Sequence, residues 1–549
     1  MKKNSFVEGT VVATLSIVIV KLLGMLYVIP FYAIVGSDGG ALYSYGYNIY
    51  LIFLGISSAG LPDAIAKIVS EYGALGYQDA KEKAYRIGKR LIGAIALISF
   101  ILIMIFASYY GNFMVGKLNG NNTPEDVAFV VRCVAPAVLF IPFLSMMKGY
   151  LQGHKFISAS SMSQLIEQVV RIFVILFGSF MIIKVFDGSL SLAVGISVAG
   201  AFFGGLGAYL YLRHQIHKHK AKFVIPEAEQ VKKDIPDKVI RRKIIKYAIP
   251  FIIISIVANL YNMVDQKLVL STLNILHYKA TVTEFIGSAI STWSPKICMV
   301  INAMSMGLSM SLVPTIVTAY TKKDNKEVEN KVNKSISMIL FISLPLSIGI
   351  CVLASSVWSV FYGVNSYGTT ILRLTAFSAL FGNIYMIVAA ICQSLNKFKL
   401  VYTLSATGFI LNALLDMPIM LLFDKVGIPP YLGSVTASIV GYSVSIYIGL
   451  RSLRKENGIS YKDTFINLGK TLIPALCMLA VILPMQIFIP FTAATKLGCI
   501  LNIAALAVVG GLIYVVVSFK SGIVEEILGR RTVNKLLRKF TFGKIQLKD

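Results

Sequence analysis

The sequence predicts an all-α polytopic membrane protein of about fourteen transmembrane helices, arranged as two six-helix pseudo-repeats plus two extra C-terminal helices. Three observations lead there. Hydrophobic residues make up 56% of the chain against 14% charged, and the mean hydropathy of +0.74 is far above soluble-domain averages. The apolar residues are gathered in stretches of roughly 20 to 25, the length that crosses a hydrocarbon core of about 30 Å. Of the 52 Lys and Arg residues, 40 fall in alternate connections and 6 in the others, as expected when basic loops stay on the cytoplasmic side.

Met1 to Ser5 carries Lys2 and Lys3, and the apolar run Thr10–Val35 is too long for a signal-peptide core, so it reads as span 1. Lys21 lies eleven residues into it, about 16 Å deep at 1.5 Å per residue. Such a lysine either faces a water-filled cavity or snorkels. Span 2, Ala41–Val69, opens with Tyr43, Tyr45, Tyr47, Asn48 and Tyr50. These tyrosines read as an interfacial belt, with sugar stacking as the other reading. Lys67 sits near its far end.

Spans 3 to 6 are read at Leu91–Tyr110, Val127–Tyr150, Ile157–Ile183 and Ser191–Leu212. Span 5 carries Gln164, Glu167, Gln168 and Arg171 at helical spacing, a polar stripe on an otherwise apolar helix. Glu167 and Arg171 could neutralise each other as glue between helices, or the stripe could wall a cavity. The Gly and Ala of span 6 suit close helix packing.

Between the halves, Arg213 to Lys246 holds eleven Lys and Arg with Pro226 and Pro236, and reads as a cytoplasmic linker. Span 7, Ile249–Ser271, has a second polar stripe of Ser255, Asn259, Asn262 and Gln266, with Asp265 and Lys267 beside it. Spans 8 to 12 follow at Lys296–Tyr320, Ser335–Phe361, Ile371–Leu395, Leu400–Phe423 and Leu432–Leu450; Lys296 counts among the outer cations. Asp416 lies inside span 11. Spans 13 and 14 are Gly469–Pro490 and Leu497–Phe519, and the basic tail places Val533, Leu536, Leu537 and Phe540 on one side of a surface helix. The expected divisions are therefore 1–212, 213–246, 247–451, 452–519 and 520–549, with both termini cytoplasmic. The six cysteines lack close spacing, so neither disulfides nor a metal site is indicated.

An internal repeat supports the two halves. Gly60-Leu61-Pro62 through Tyr72 is echoed by Gly307-Leu308 through Tyr320, 247 residues on, and Gln152 to Phe156 by Gln393 to Phe398, 241 residues on. Six spans per half give both halves one orientation, a parallel repeat about the membrane normal.

These features, with the runs Lys21-Leu-Leu-Gly24, Gly36-Ser-Asp-Gly-Gly-Ala-Leu-Tyr43 and Gly60-Leu61-Pro62, resemble the MurJ family of lipid II flippases. The likeness is to its Gram-positive YtgP and SpoVB-like branch, within the multidrug/oligosaccharidyl-lipid/polysaccharide (MOP) exporter superfamily. In better-known members span 1 carries an Arg on each side of Leu-Gly; here Lys21 matches the first and Tyr27 stands at the second. The resemblance implies movement of undecaprenyl-diphosphate-linked peptidoglycan precursor across a bacterial cytoplasmic membrane by alternating access, and a polyprenyl-tail groove on spans 13 and 14.

The expected diphosphate site is Lys21 and Arg171 with Gln164, Gln168 and Lys67. Glu167, Asp265 and Asp416, with Asn259 and Asn262, are candidates for charge balance or ion coupling. A flippase for another polyprenyl-linked glycan, or a sporulation-specific variant, would use the same chemistry. A multidrug or cation antiporter would want an acidic first half, and Lys21 argues against it. A membrane enzyme is disfavoured because no His-Glu-x-x-His, Walker A or nucleophile-elbow motif is present. No cofactor is expected, only coupling to membrane potential, Na+ or H+. The net charge of +26 reads as attraction to anionic lipid rather than nucleic acid, and the chain is expected to act as a monomer.

Overall fold

The computed structural model describes residues 6–528 except 59, 155, 220–222, 225–229, 232 and 489–494. The tail residues Val533, Leu536, Leu537 and Phe540, and Lys155, lie outside the described residues. Among the described residues the structure is helical, without strands.

The helices are α1 (Phe6–Leu26), α2 (Val28–Ser58), α3 (Leu61–Ala74), α4 (Gln78–Val115), α5 (Pro124–Gly153), α6 (Ile157–Phe180) and α7 (Leu190–Lys218). After the linker come α8 (Asp237–Ile275), α9 (Ala280–Ser288), α10 (Ser294–Thr321), α11 (Asn325–Val352), α12 (Ala354–Tyr362) and α13 (Ser366–Ser394). The chain ends with α14 (Phe398–Lys425), α15 (Leu432–Asn457), α16 (Lys462–Phe488), α17 (Lys496–Lys520) and α18 (Ile523–Leu528). Ten of the described helices, α4 to α7, α11 and α13 to α17, are long and apolar enough to cross a membrane. The pair α1 and α2, bent by 42° at its break, makes an eleventh. In a bilayer a helix satisfies its backbone groups internally, so this architecture follows from the apolar runs. The chain is a multi-pass membrane protein.

Span 2 departs from its expected form as one continuous helix over Ala41–Val69. The chain turns at Gly60 (φ 77°), a left-handed conformation that costs glycine little, and Pro62 then starts α3. Gly36 (φ 68°) likewise breaks α2 near its beginning.

Two compact units divide the chain by packing. One holds residues 1–297 and 409–437, the other 298–408 and 438–549. In the first, α5 packs against α2, α3, α4 and α7, and α6 against α1 and α7. Close approach of α6 and α7 depends on Gly204, where a Cβ would lie 3.0 Å from that of Arg171. The described part of the linker is anchored: Lys81, buried on α4, donates to the Phe223 carbonyl at 2.7 Å, Val231 N–H donates to the Gly76 carbonyl at 3.0 Å, and Lys83 and Lys243 pair with Asp234 and Glu71, each at 2.6 Å.

In the second unit α11 packs against α13 and α16, and α16 against α17. Tyr514 donates to the Phe341 carbonyl at 2.6 Å, and Asn502 joins α17 to Ser356 and Gln486 at 2.8 and 2.9 Å. Among the described residues no disulfide joins the six cysteines, and Cys298, Cys392 and Cys499 are buried.

Candidate functional site: a cationic centre enclosed by aromatic rings

Residue Tyr27 falls at the break between α1 and α2, and the break turns its side chain into the unit, where it is 7% exposed. One turn of π-helix, Ala289–Trp293, joins α9 to α10 and fixes the register that aims both Trp293 and Lys296 at α2. Gly40 lets that approach happen, since a Cβ there would lie 3.2 Å from the Trp293 ring.

Lys296 is 5% exposed. Its ammonium donates to the Tyr27 hydroxyl at 2.8 Å and lies 4.7 to 5.1 Å from the ring centres of Tyr43, Tyr47, Trp293 and Tyr27. Because the ammonium cannot accept, the Tyr27 proton is left for the Tyr43 hydroxyl 3.1 Å away. Arg171 reaches the same group from α6, 5.8 Å from the Tyr47 ring and 5.6 Å from Tyr50. Two cations thus share the Tyr47 ring.

Ring faces attract a desolvated cation by about 2 kcal/mol each at best. An isolated buried ion costs several kcal/mol. Among the described residues neither cation forms an ion pair with a carboxylate.

This arrangement corrects two expectations. Tyr43, Tyr45 and Tyr50 do not form an interfacial belt; they are 0%, 0% and 4% exposed. Lys296 is not an outer-loop cation, because residues 280–321 run as one helical stretch and carry it into the interior. The sequence signal for it was Trp293 and Lys296 at i, i+3, which share a helix face.

The stripe on α6 is divided among three neighbours. Glu167 accepts from Lys148 of α5 at 2.5 Å, so the alternative reading in which Glu167 and Arg171 neutralise each other is not the pairing formed. Gln168 faces α1, where a Cβ at Gly24 would lie 3.3 Å from its Nε2, and Arg171 turns to α2. Lys21 and Gln164 are half-buried without a hydrogen bond among the described residues. Lys67 is exposed and lies 4.2 Å from the Tyr247 ring of α8; it shares no ring with Lys296 or Arg171.

On α8, Gln266 is fully buried, accepting from Asn48 and donating to Ser44, both at 2.8 Å. Asn259 donates to the Ser255 carbonyl at 2.8 Å, and Asn262 is half-buried. Asp265 accepts from Asn412 of α14. Asp416, one turn further along α14 and fully buried, lies in the field of Asp265 with the Ser434 hydroxyl beside it.

A second acidic cluster closes the opposite end of this unit from the linker. Asn122 donates to Glu284 of α9 and to the Asp38 carbonyl, while Asn121 donates to the Asp38 carboxylate at 2.8 Å. Burial, opposed by the Asn122 hydrogen bond and aided by Asp38, raises the Glu284 pKa to about 7.

Comparison with known proteins agrees with this architecture. The sequence profile described as polysaccharide biosynthesis protein matches residues 6–316, and the MatE profile matches 287–417. The protein named lipid II flippase MurJ of Bacillus subtilis (strain 168) is 29% identical over 539 residues, covering 96% of this chain and 97% of that one. A solved structure of lipid II flippase MurJ in an inward closed conformation has a TM-score of 0.64 at 17% identity, covering 93% of this chain and 99% of the other. An inward-facing MATE family multidrug resistance transporter has a TM-score of 0.63 at 13% identity, covering 82% and 98%. The chain belongs to the polysaccharide biosynthesis protein family, as a MurJ-like member of the MOP superfamily of membrane transporters.

Proposed function

We propose that the protein is a flippase that carries undecaprenyl-diphosphate-linked peptidoglycan precursor, lipid II, from the inner to the outer leaflet by alternating access. The observation that carries this reading is the pair of Lys296, buried, and Arg171, half-buried, set among the same rings with no carboxylate partner among the described residues. A lipid-linked diphosphate brings about two negative charges that hydrocarbon solvates poorly. The two cations supply compensation for them, Arg171 through paired donors and Lys296 as a compact charge. Lys21, Gln164 and Gln168 extend this site along α1 and α6, and tyrosine faces suit the sugar portion.

In the membrane the proposed layout has fourteen spans in two parallel repeats, with the linker and both termini cytoplasmic. Spans 13 and 14, here α16 and α17, hold the polyprenyl tail. The cluster of Asp265, Asn412 and Asp416 is the proposed coupling site for H+ or Na+. The membrane potential acts on the empty cationic site at about 2.3 kcal/mol per charge per 100 mV, which favours its return inward.

The test is complementation of a strain depleted of its own lipid II flippase. Expression of this chain should prevent accumulation of lipid II on the inner leaflet. Continued accumulation with the protein present in the membrane would exclude lipid II and leave another polyprenyl-diphosphate glycan as the substrate.

A further inference from the structure

A groove unrelated to the cationic centre lies among α4, α5 and α7. Helices α4 and α7 each pack on α5, and between them they leave a cavity of ≈ 1170 Å³ over one face of α5. That is at or above the upper end of the roughly 300 to 1,000 Å³ usual for small-molecule sites, so it suits an extended ligand. Its floor and walls are apolar, with Leu139, Phe140 and Phe143 beneath Phe100, Phe202 and Tyr209. Phe140 meets Phe202 and Tyr209 edge-on at 5.5 and 5.3 Å.

One end is basic. Lys89 of α4 and Arg213, His214 and His217 of α7 line the mouth, and the lining includes no carboxylate. Lys89, Arg213, His214 and His217 are exposed, and none forms an ion pair among the described residues. Helix geometry gives the depth. Lys89 to Phe100 on α4, Arg213 to Phe202 on α7 and Met147 to Pro136 on α5 are each eleven residues, about 16 Å at 1.5 Å per residue. The hydrocarbon of one leaflet is about 15 Å deep.

We infer that this groove binds an anionic phospholipid of the leaflet at the linker end, its acyl chains along Phe140, Phe143 and Phe202 and its phosphate at Lys89 and Arg213. A groove ending at mid-membrane matches an acyl chain better than a polyprenyl tail of fifty-five carbons. The unpaired cations match a phosphodiester on a net negative lipid, and a zwitterionic lipid brings its own ammonium to the same place. The assignment does not depend on the transported substrate.

The experiment is native mass spectrometry of the full chain with phosphatidylglycerol and phosphatidylcholine of identical acyl chains. Wild type should retain phosphatidylglycerol preferentially. Lys89→Gln with Arg213→Gln, both exposed and so neutral to folding, should weaken it roughly 25-fold, about fivefold per cation at an anionic surface. Leu139→Trp, which fills the groove, should weaken both lipids. Equal retention of the two lipids by wild type, or undiminished phosphatidylglycerol on the double variant, would overturn the inference. Displacement of bound phosphatidylglycerol by one equivalent of undecaprenyl diphosphate would also overturn it, by making the groove a substrate site.

Discussion

Replacing Lys296 by Met removes the charge at the centre of the ring cluster while keeping a side chain of similar length. Wild-type Lys296 is 5% exposed, and its ammonium donates to Tyr27 at 2.8 Å and lies within 5.1 Å of four ring centres. Removing one member of a buried charge pair from a complex costs about 2 to 5 kcal/mol. The affinity of the purified protein for a polyprenyl diphosphate should therefore fall by at least roughly 30-fold. Folding stability should hold or rise, because methionine carries no desolvation penalty and the rings keep an apolar neighbour. Binding is measured by titrating undecaprenyl diphosphate in detergent, and stability by thermal unfolding of the same preparation. An affinity within twofold of wild type would refute the reasoning, and a fall in stability with unchanged affinity would make Lys296 a structural residue. Arg171→Met should weaken binding similarly, and the double variant should lose less than the sum if both cations hold one diphosphate.

Glu284 makes the end opposite the linker pH-sensitive. Its raised folded-state pKa means that stability is fully present below the usual 4.5 and is lost as pH rises through about 7; Glu284→Gln should flatten this slope in thermal unfolding while its side-chain oxygen still accepts from Asn122. Asp416→Asn leaves Asp265 as the sole carboxylate of its cluster, and should abolish any dependence of transport on Na+ or pH in reconstituted vesicles; retained dependence would move coupling elsewhere. Gly40→Ala puts a Cβ 2.8 Å from the Tyr32 ring and 3.2 Å from Trp293, so it should cost about 1 to 3 kcal/mol in stability and shift tryptophan emission by displacing Trp293. Glu167→Gln removes the anion from the half-buried Lys148, and its cost should shrink when Lys148 is also replaced by Met.

The family-level architecture was legible from the sequence because apolar run length and the placement of lysines are one-dimensional properties. A helix crosses hydrocarbon only if about twenty residues agree, and α4 to α7, α11 and α13 to α17 show that agreement without any knowledge of packing. The acidic candidates were legible too, since an aspartate inside an apolar run is visible wherever it ends up. Asp265 and Asp416 stood out separately, and folding put them in one cluster.

What only the tertiary structure decided is which side chains meet. The α6 stripe was correct as a periodic feature, yet its members go to different helices: Glu167 to Lys148, Gln168 toward Gly24, Arg171 to Tyr47 and Tyr50. Periodicity fixes a shared face, not the neighbour on it. Lys296 was hidden because a cation after Pro295 looks like the flank of a span, and only the continuous helical run through the π turn carries it inside. Tyr27, which stands where the resembled family carries its second span-1 Arg, accepts a hydrogen bond from the Lys296 ammonium. That contact joins residues 269 positions apart, a separation that no local pattern spans.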